Sequence, residues 1–573
     1  MNRFFAALVI VFFCLHANLL NAQKLLILEA PLTTQASFNT FSSFKLSGDT
    51  TWTMGTSLSY GATFTYGYAN CVAYFISPAM DLSAVNNPTL IFQHTRGSGT
   101  RMSIGVAEGW YKVFATANYT GDPTTTEWIE IENVIHAPTT ATAWVWYSSG
   151  ELTIPEAAKS ENTRIAFRYQ SGATASQSAG WRVKQVRVTG DPVLLPNEKL
   201  FKIATWNVQW LGNPAQAPLD MGLQMRNVAE VIRAVNPDLI ALQEICVSAT
   251  INPLDSIVLF LGNGWSGNIL PWRVASNAQS QGIIYKTDKV QYVSSSFVTH
   301  DTNGDGVVNS SDAFYTNWSS GRFPVLYNVN LVVGEELFPL AFLNIHAKAL
   351  PDLDGYTRRV AGLAELKPVL DAEPHSSSNL VMLGDFNDYL IGTSCTDPTC
   401  VGADSPYKIF MDDPENYNGI TAGLWQYNST NDSYWPNPTI DNIVLSSRLF
   451  DYFVPMSAFT EINATKVVVD CGNTTSDHTP VSALLKFTLP SSGTTELNYI
   501  ENIPKALQLY PNPAKNQLQI LGEKHTGFFA IFDLLGRQCI AGKLTDNTIN
   551  VSQLNSGVYF LKINDKIGKF IKE

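Results

Sequence analysis

The sequence predicts a multidomain, β-rich chain: an N-terminal all-β sandwich, a central layered α/β domain and a small C-terminal β-sandwich. Three observations carry this. Short period-2 runs separated by turn residues fill positions 24 to about 190, strands alternate with amphipathic helices from about 198, and strand-like runs return after a polar linker near 490. A chain of 573 residues exceeds what one core organises. Its 45% apolar and 15% charged residues exclude extended disorder.

Residues 1–22 read as an export signal. Arg3, the apolar run FFAALVIVFFCL and a polar stretch reaching Ala22 form a charged n-region, an h-region and a small-residue cleavage point. A membrane anchor needs about 20 apolar residues, and neither this run nor any later one is that long. Export permits disulfides. Beyond Cys14 six of the seven cysteines remain. Cys395 and Cys400 bracket TDPT and are predicted to close a small disulfide loop. Cys246 lies two residues past Glu244 and Cys471 six before Asp477, so these thiols could pair if both motifs meet at one site. Cys71 and Cys539 are read as buried thiols, and no spacing matches a zinc module.

The formal net charge is −12, so no global field draws the protein toward phosphates. Any polyanion must be met locally. The candidate cations are Arg322, Lys348, Arg358 and Arg359, with the sequence leaving open which of the last two faces a site.

In residues 23–192 the runs TLIFQH, RMSIGVAE, WIEIENV, TRIAFRY and WRVKQVRV alternate as sandwich strands do. YFISPAMDLS, NPTLIFQH, TRIAFRYQSG and GWRVKQVRVTG resemble the jelly-roll adhesion or carbohydrate-binding-like modules of exported bacterial proteins. That resemblance leaves a glycan open as a partner. Trp52, Trp110, Trp128 and Trp181 are read as core residues rather than a sugar platform.

GDPVLLPNEK is a linker, and residues 198–488 have a different texture. The strand FKIATWNV leads to MGLQMRNVAEVIRAV, in which Met221, Met225, Val228, Val231, Ile232 and Val235 fall at helical spacing. NPDLIALQEI is a further strand, and YTRRVAGLAELKPVLDA is a second helix feeding LVMLG. Polar clusters recur at the strand ends: Asn207 in TWNV, Glu244 in LQEI, Asp385 and Asn387 in GDFN, and Asp477 with His478 in SDH. Carboxylates, amides and imidazoles on successive strands suit divalent-metal phosphodiester chemistry, which neutralises phosphoryl oxygens and activates an in-line water.

In this order these clusters resemble the endonuclease/exonuclease/phosphatase superfamily, which includes pancreatic deoxyribonuclease, apurinic endonucleases and neutral sphingomyelinases. The resemblance implies a deoxyribonuclease-like four-layer α/β sandwich. It also implies that Glu244 holds Mg²⁺ or Mn²⁺ with Asn207 and Asp477 close by, since hard oxygen ligands fit those ions. Asp385 matches the residue that positions or deprotonates water, and Asn387, expected on the same side of an extended segment, would donate to a phosphoryl oxygen. His478 matches the imidazole at the scissile phosphate. His346 in FLNIHAKA is the second imidazole, and Asp441 in PTIDNIVLSS matches the carboxylate that fixes a catalytic histidine. Arg322 in GRFPVLYNV matches a phosphate contact, with Lys348 and Arg358 as further candidates. One departure stands out: where deoxyribonuclease-like members place a glutamate beside the second histidine, SNAQSQ offers Gln279.

DTNGDGVVNSSD puts Asp301, Asn303, Asp305, Asn309 and Asp312 at positions 1, 3, 5, 9 and 12 of a calcium loop, with Gly306 at the sharp turn. It looks like one dockerin-type loop. A single copy without flanking helices argues against cohesin docking, and the expectation is a structural Ca²⁺ staple.

After a linker at 489–503, residues 504–573 carry LYPNPAKNQLQI, FFAIFDLLGRQ, INVSQLNSGVYFLKI and GKFIKE. They resemble the type A sorting domain of the type IX secretion system in Bacteroidetes, which implies passage through the periplasm to the surface or medium. The expected function is an exported, metal-dependent nuclease acting on DNA or RNA. A phosphatase or sphingomyelinase-like lipid phosphodiesterase is the alternative, and a non-catalytic surface adhesin is the alternative from another class.

Overall fold

The computed structural model describes residues 24–489 and 507–573 apart from 49, 56–61, 65–68, 97–104, 137–144, 175–176, 178, 217, 427–436, 508, 523–526, 534–537, 545 and 564–565. The export signal and residues 490–503 of the second linker fall outside the described residues. No described helix is long and apolar enough to cross a membrane.

Residues 25–192 form a seven-stranded and a five-stranded sheet built on Val85–Arg96 with Trp181–Pro192 and on Val72–Ile76 with Arg164–Gln170. The period-2 pattern explains why they meet. Leu90 and Phe92 on one sheet and Val113, Ala115, Ile165 and Phe167 on the other all point into a single core. Trp52, Trp110 and Trp181 are buried in it, whereas Trp128 is half-buried outside this core, stacked on Tyr74.

The central domain places two six-stranded sheets face to face. The first runs Trp265–Ile269, Gln279–Lys286, Leu239–Cys246, Glu198–Leu211, Val481–Thr488 and Phe459–Thr460. The second runs Val290–Phe297, Val325–Val333, Glu336–His346, Leu380–Asp385, Asp441–Ser446 and Tyr417–Gly419. Ile203, Leu239 and Ile283 from the first sheet meet Val329, Phe342 and Leu383 from the second in the middle core. Helices Met221–Val235 and Pro253–Leu261 cover the first sheet's outer face. Helix Leu353–Asp371 covers the second. The result is a helix–sheet–sheet–helix stack.

Local chemistry sets the helix ends. Asp220 caps Met221–Val235 by accepting the Leu223 N–H at 2.8 Å, and Asn236 ends it in the left-handed region. Asp352 caps Leu353–Asp371 through the Gly355 N–H at 2.7 Å. The first two domains also touch. Leu26 N–H donates to Met456 O at 2.6 Å, and Arg187 pairs with Glu29 while its guanidinium lies 5.0 Å from the Phe459 ring.

In the C-terminal unit, sheets of three and four strands share a core that includes Leu518, Ile531, Leu561 and Phe570. The Cys395–Cys400 disulfide is present. Cys246 and Cys471 are both buried as free thiols, so the open pairing is not made. Cys71 is buried, but the Cys539 thiol is exposed on a strand of the small C-terminal sheet, where the expected burial fails.

Candidate active site

The polar clusters converge because strand pairing puts them at one edge of the two sheets. His346 and Asp385 are direct partners in a parallel ladder, and Asp385 and Asp441 are partners in the antiparallel ladder beside it. Gly384 makes the first contact possible: at φ +143°, an added Cβ would lie 1.9 Å from Ile345 O. On the first sheet, ladder shifts on both sides of Glu244 leave it in a bulge at φ +64°, which re-aims its carboxylate.

Asn207 ties the two sheets together at this point. Its Nδ2 donates to Glu244 Oε1 at 3.0 Å and to Asp385 Oδ2 at 2.9 Å. Its Oδ1 faces away, accepting the Gln209 N–H at 2.9 Å. The expected role for Asn207 as a metal ligand is therefore corrected: the amide orients two carboxylates and turns its own oxygen elsewhere. Glu244 Oε2 accepts the Trp210 N–H at 2.8 Å, and Asp385 Oδ1 accepts the Asn387 N–H at 2.9 Å.

The two imidazoles flank Asp385. His346 Nε2 lies 3.4 Å from Asp385 Oδ2 and 3.6 Å from Glu244 Oε1. His478 Nε2 lies 3.9 Å from Asp385 Oδ2, and its Nδ1 is 2.8 Å from Asp441 Oδ2. Their charges diverge. Burial, reinforced by Arg322 and His478, holds His346 well below the usual imidazole range. Burial also opposes charge on His478, but Asp441 and Asp385 outweigh it and hold the ring well above that range. Burial raises the Glu244 and Asp385 carboxyls, against the hydrogen bonds each receives.

Among the described residues, two groups bring ligand atoms within 4.8 Å of one another: Glu244, His346 and Asp385, and Asp385, Asp441 and His478. Asp477 belongs to neither. It is exposed, and its backbone N–H donates to Gln209 Oε1 at 3.1 Å, so the second expected ligand is also corrected. Asn387 sits in a turn at φ +51° rather than an extended segment, and its Nδ2 donates to Ala347 O at 3.3 Å.

The cations divide. Arg322 is buried and donates to His346 O at 3.0 Å, Ala347 O at 2.6 Å, Ser319 Oγ at 3.3 Å and Gln279 Oε1. Four of its N–H groups are thus spent on the protein while it still lines the cleft beside Glu244 and His346, and Gln279 partners this arginine instead of a histidine. Burial pushes the Arg322 guanidinium down to about 10. Arg359 is also buried, against Asp388, whereas Arg322, Lys348 and Arg358 line a cleft of about 390 Å³ with Glu244 and His346.

The calcium-loop residues form a tight turn. Asp301 accepts the Gly304 and Gly306 N–H groups at 2.7 and 2.6 Å, Asn303 accepts that of Asp305 and Asn309 that of Ser311. Both Asp312 oxygens accept backbone N–H groups from Thr302 and Asn309 at 2.9 Å. These carboxylates are not among the converging groups of the described residues.

Several supports were not anticipated from sequence. Ser476 Oγ donates to Asn207 O at 2.6 Å, and Trp206 Nε1 donates to His478 O at 3.0 Å, stitching the SDH turn to the strand that carries Asn207. Gln243 Nε2 donates to Asn344 Oδ1 at 2.8 Å, an amide bridge between the sheets under the site. The one available signal was the polar residue in an otherwise apolar strand.

Residues 204–478 match the Endonuclease/Exonuclease/phosphatase family, and residues 508–573 match the secretion system C-terminal sorting domain. The family match spans most of the central domain, and the tail match identifies a type IX secretion sorting domain. Similar solved structures include a conserved Enterococcus faecalis protein of unknown function, at 15% identity, 49% of this chain, 98% of that one and TM-score 0.35. A Bacteroides thetaiotaomicron endonuclease/exonuclease/phosphatase family protein has 15% identity over 51% of this chain and 99% of that one, TM-score 0.32. The human Nocturnin catalytic domain with bound sulfate has 16% identity over 50% and 96%, TM-score 0.33. No curated protein matches the chain.

Proposed function

We propose that this chain is an exported, metal-dependent phosphodiesterase that hydrolyses DNA or RNA. The observation that carries the reading is Asp385 Oδ2, which takes the Asn207 amide and faces both a neutral and a cationic imidazole. The sorting tail supports export.

The donor set fits a hard divalent ion. Half-buried Glu244 and buried Asp385, held together through one amide with a neutral imidazole nitrogen beside them, converge their donor atoms on one point. Glu244, with His346 and Asp385, would hold Mg²⁺ or Mn²⁺, which when bound neutralises phosphoryl oxygens. Asp385, fixed on both oxygens, positions the attacking water and accepts its proton. His478, held cationic by Asp441, presents its Nε2 proton to the phosphate or the leaving oxygen. A structural Ca²⁺ at the Asp301–Asp312 loop is part of the same proposal, supported by its ligand spacing and the Gly306 turn at φ +87°.

The second reading, a phosphomonoesterase or lipid phosphodiesterase, is favoured by the net charge of −12. The test assays purified mature protein on plasmid DNA, RNA, sphingomyelin and inositol phosphates with Mg²⁺, with Ca²⁺ and with chelator. Nucleic-acid cleavage that chelator abolishes is expected. Asp385→Asn and His478→Ala should each lose about 10²–10⁴-fold while folding normally. Cleavage of no phosphoester under any metal ends the enzyme reading.

A further inference from the structure

Packing does not account for Trp210. It lies at φ +48° after Gln209 at +46°, a left-handed pair that bulky side chains avoid. Its N–H is committed to Glu244 Oε2 at 2.8 Å and its carbonyl accepts the Asn213 N–H at 2.9 Å, so its main chain is locked to the carboxylate at the heart of the site. The indole is half-buried, yet it belongs to none of the hydrophobic clusters of the central domain. Among the described residues it makes no ring contact, and its Nε1 has no hydrogen-bond partner. Trp210 instead lines the cleft of about 390 Å³ with Glu244, Lys348 and Arg358.

An aromatic side chain held beside a candidate phosphoester-cleaving centre, in a cleft shared with the three cations Arg322, Lys348 and Arg358, matches a nucleotide unit. We propose that Trp210 stacks on the base next to the scissile phosphate while Lys348 and Arg358 take neighbouring phosphates, so that the substrate is nucleic acid with unpaired bases. This rests on the nuclease reading above and narrows it. A base inside a duplex has both faces covered by its neighbours, so only an unpaired base can offer one to Trp210. The cleft is at the small end of ligand sites, which suits one nucleotide rather than a double helix. Stacking tolerates every base, so the preference is for strandedness and not for sequence.

The experiment uses the mature full chain with one oligonucleotide presented as a single strand, as a duplex and with an abasic nucleotide at each position in turn, beside a small phosphodiester that carries no base. Wild type should cut the single strand at least 10-fold faster than the duplex. Trp210→Ala should lose about 5–100-fold in kcat/KM on the single strand, and at least 5-fold less than that on the baseless diester. Trp210→Phe should restore most of the loss, and an unchanged melting temperature shows that the variants fold. Equal losses on both substrates, or a duplex cut as fast as the single strand, overturn the stacking role alone. A wild type that cleaves the baseless diester but neither DNA nor RNA overturns the nuclease reading, and the stacking role with it.

Discussion

His94 in the N-terminal module shows how far one buried side chain can be specified by its neighbours. Trp181 Nε1 donates to its Nδ1 at 3.2 Å, so Nδ1 is an acceptor, and its Nε2 donates to Ile135 O at 2.9 Å. Both nitrogens are satisfied only in the neutral ring. Burial pushes the group down to about 3, and burial with Arg96 pushes His136, 5.3 Å away, to about 4. An unfolded histidine titrates near 6.5, so between pH 6.5 and 3 the unfolded chain binds more protons. The stability these rings contribute is complete above pH 6.5 and is lost as pH falls toward 3. Melting followed from pH 7 to 4 should show the module weakening by on the order of 3 kcal/mol, and a flat melting temperature would contradict it. The two imidazoles beside Asp385 apply the same physics in opposite directions: burial keeps His346 neutral, while Asp441 keeps His478 charged.

At the scale of elements, the end of strand Glu336–His346 is gripped by two buried guanidiniums. Arg322 holds the carbonyls of His346 and Ala347, and Arg359 holds those of Lys348 and Leu350 at 2.8 and 2.9 Å. Arg359 is itself fixed by Asp388 through Nε and Nη2 at 3.1 and 2.9 Å, with both side chains fully buried. Removing one partner of such a pair costs about 3–5 kcal/mol. Arg359→Met should therefore melt far below wild type. Adding Asp388→Leu should recover stability without recovering activity, because the Lys348 turn has still lost its anchor. Recovery of both together would show that the pair serves folding only. The Asp301–Asp312 loop makes a separate prediction. Saturating Ca²⁺ that binds only the folded loop adds about 2.7 kcal/mol at 100 times its Kd, so chelation should lower the melting temperature by about 5–10 °C, and Asp301→Ala should remove that difference.

These elements also show what was legible. The candidate site groups could be read because each is a polar residue late in a continuously buried apolar strand: His346 and Asp385 end theirs, and Asn207 and Glu244 stand four and two residues before the ends of theirs. Helix Met221–Val235 was equally clear from its spacing. Which of Arg358 and Arg359 faces the cleft was not, because both sit on one helix and the answer depends on Asp388, which arrives from another strand end. The outward turn of Asp477 is likewise settled by a tertiary hydrogen bond to Gln209, whereas the Asn207 side chain is turned by a local Asx-type bond from the Gln209 N–H together with the carboxylates it meets from two other strands. Arg322 was legible as a candidate through GRFPVLYNV, but its grip on the His346 and Ala347 carbonyls was not, because backbone partners have no sequence signature.

On the scale of the whole molecule, the first sandwich and the central domain are joined by more than a linker. Val454 of the central domain packs on the first core, and Leu26 of the first packs on the middle core of the second. Between them Arg187, at 9% exposure, meets Glu29 at 8%, reaches Thr460 Oγ1 at 3.4 Å and lies over the Phe459 ring. A pair this dry carries a desolvation cost that is repaid only while both partners stay in place. Arg187→Ala should cost about 3 kcal/mol, which in domains of this size is a fall of about 6–12 °C in the shared transition. If the contact couples the two cores, the loss will appear in both together: amide hydrogen exchange of the first sandwich's central strands and phosphoester hydrolysis by the second domain should be lost at the same temperature in wild type and separate in the variant. Arg187→Met combined with Glu29→Leu should bring the transitions back together by replacing the ion pair with apolar contact. Transitions that already differ in wild type would mean that the interface is a contact without coupling, and that the sandwich is a passenger on the catalytic domain.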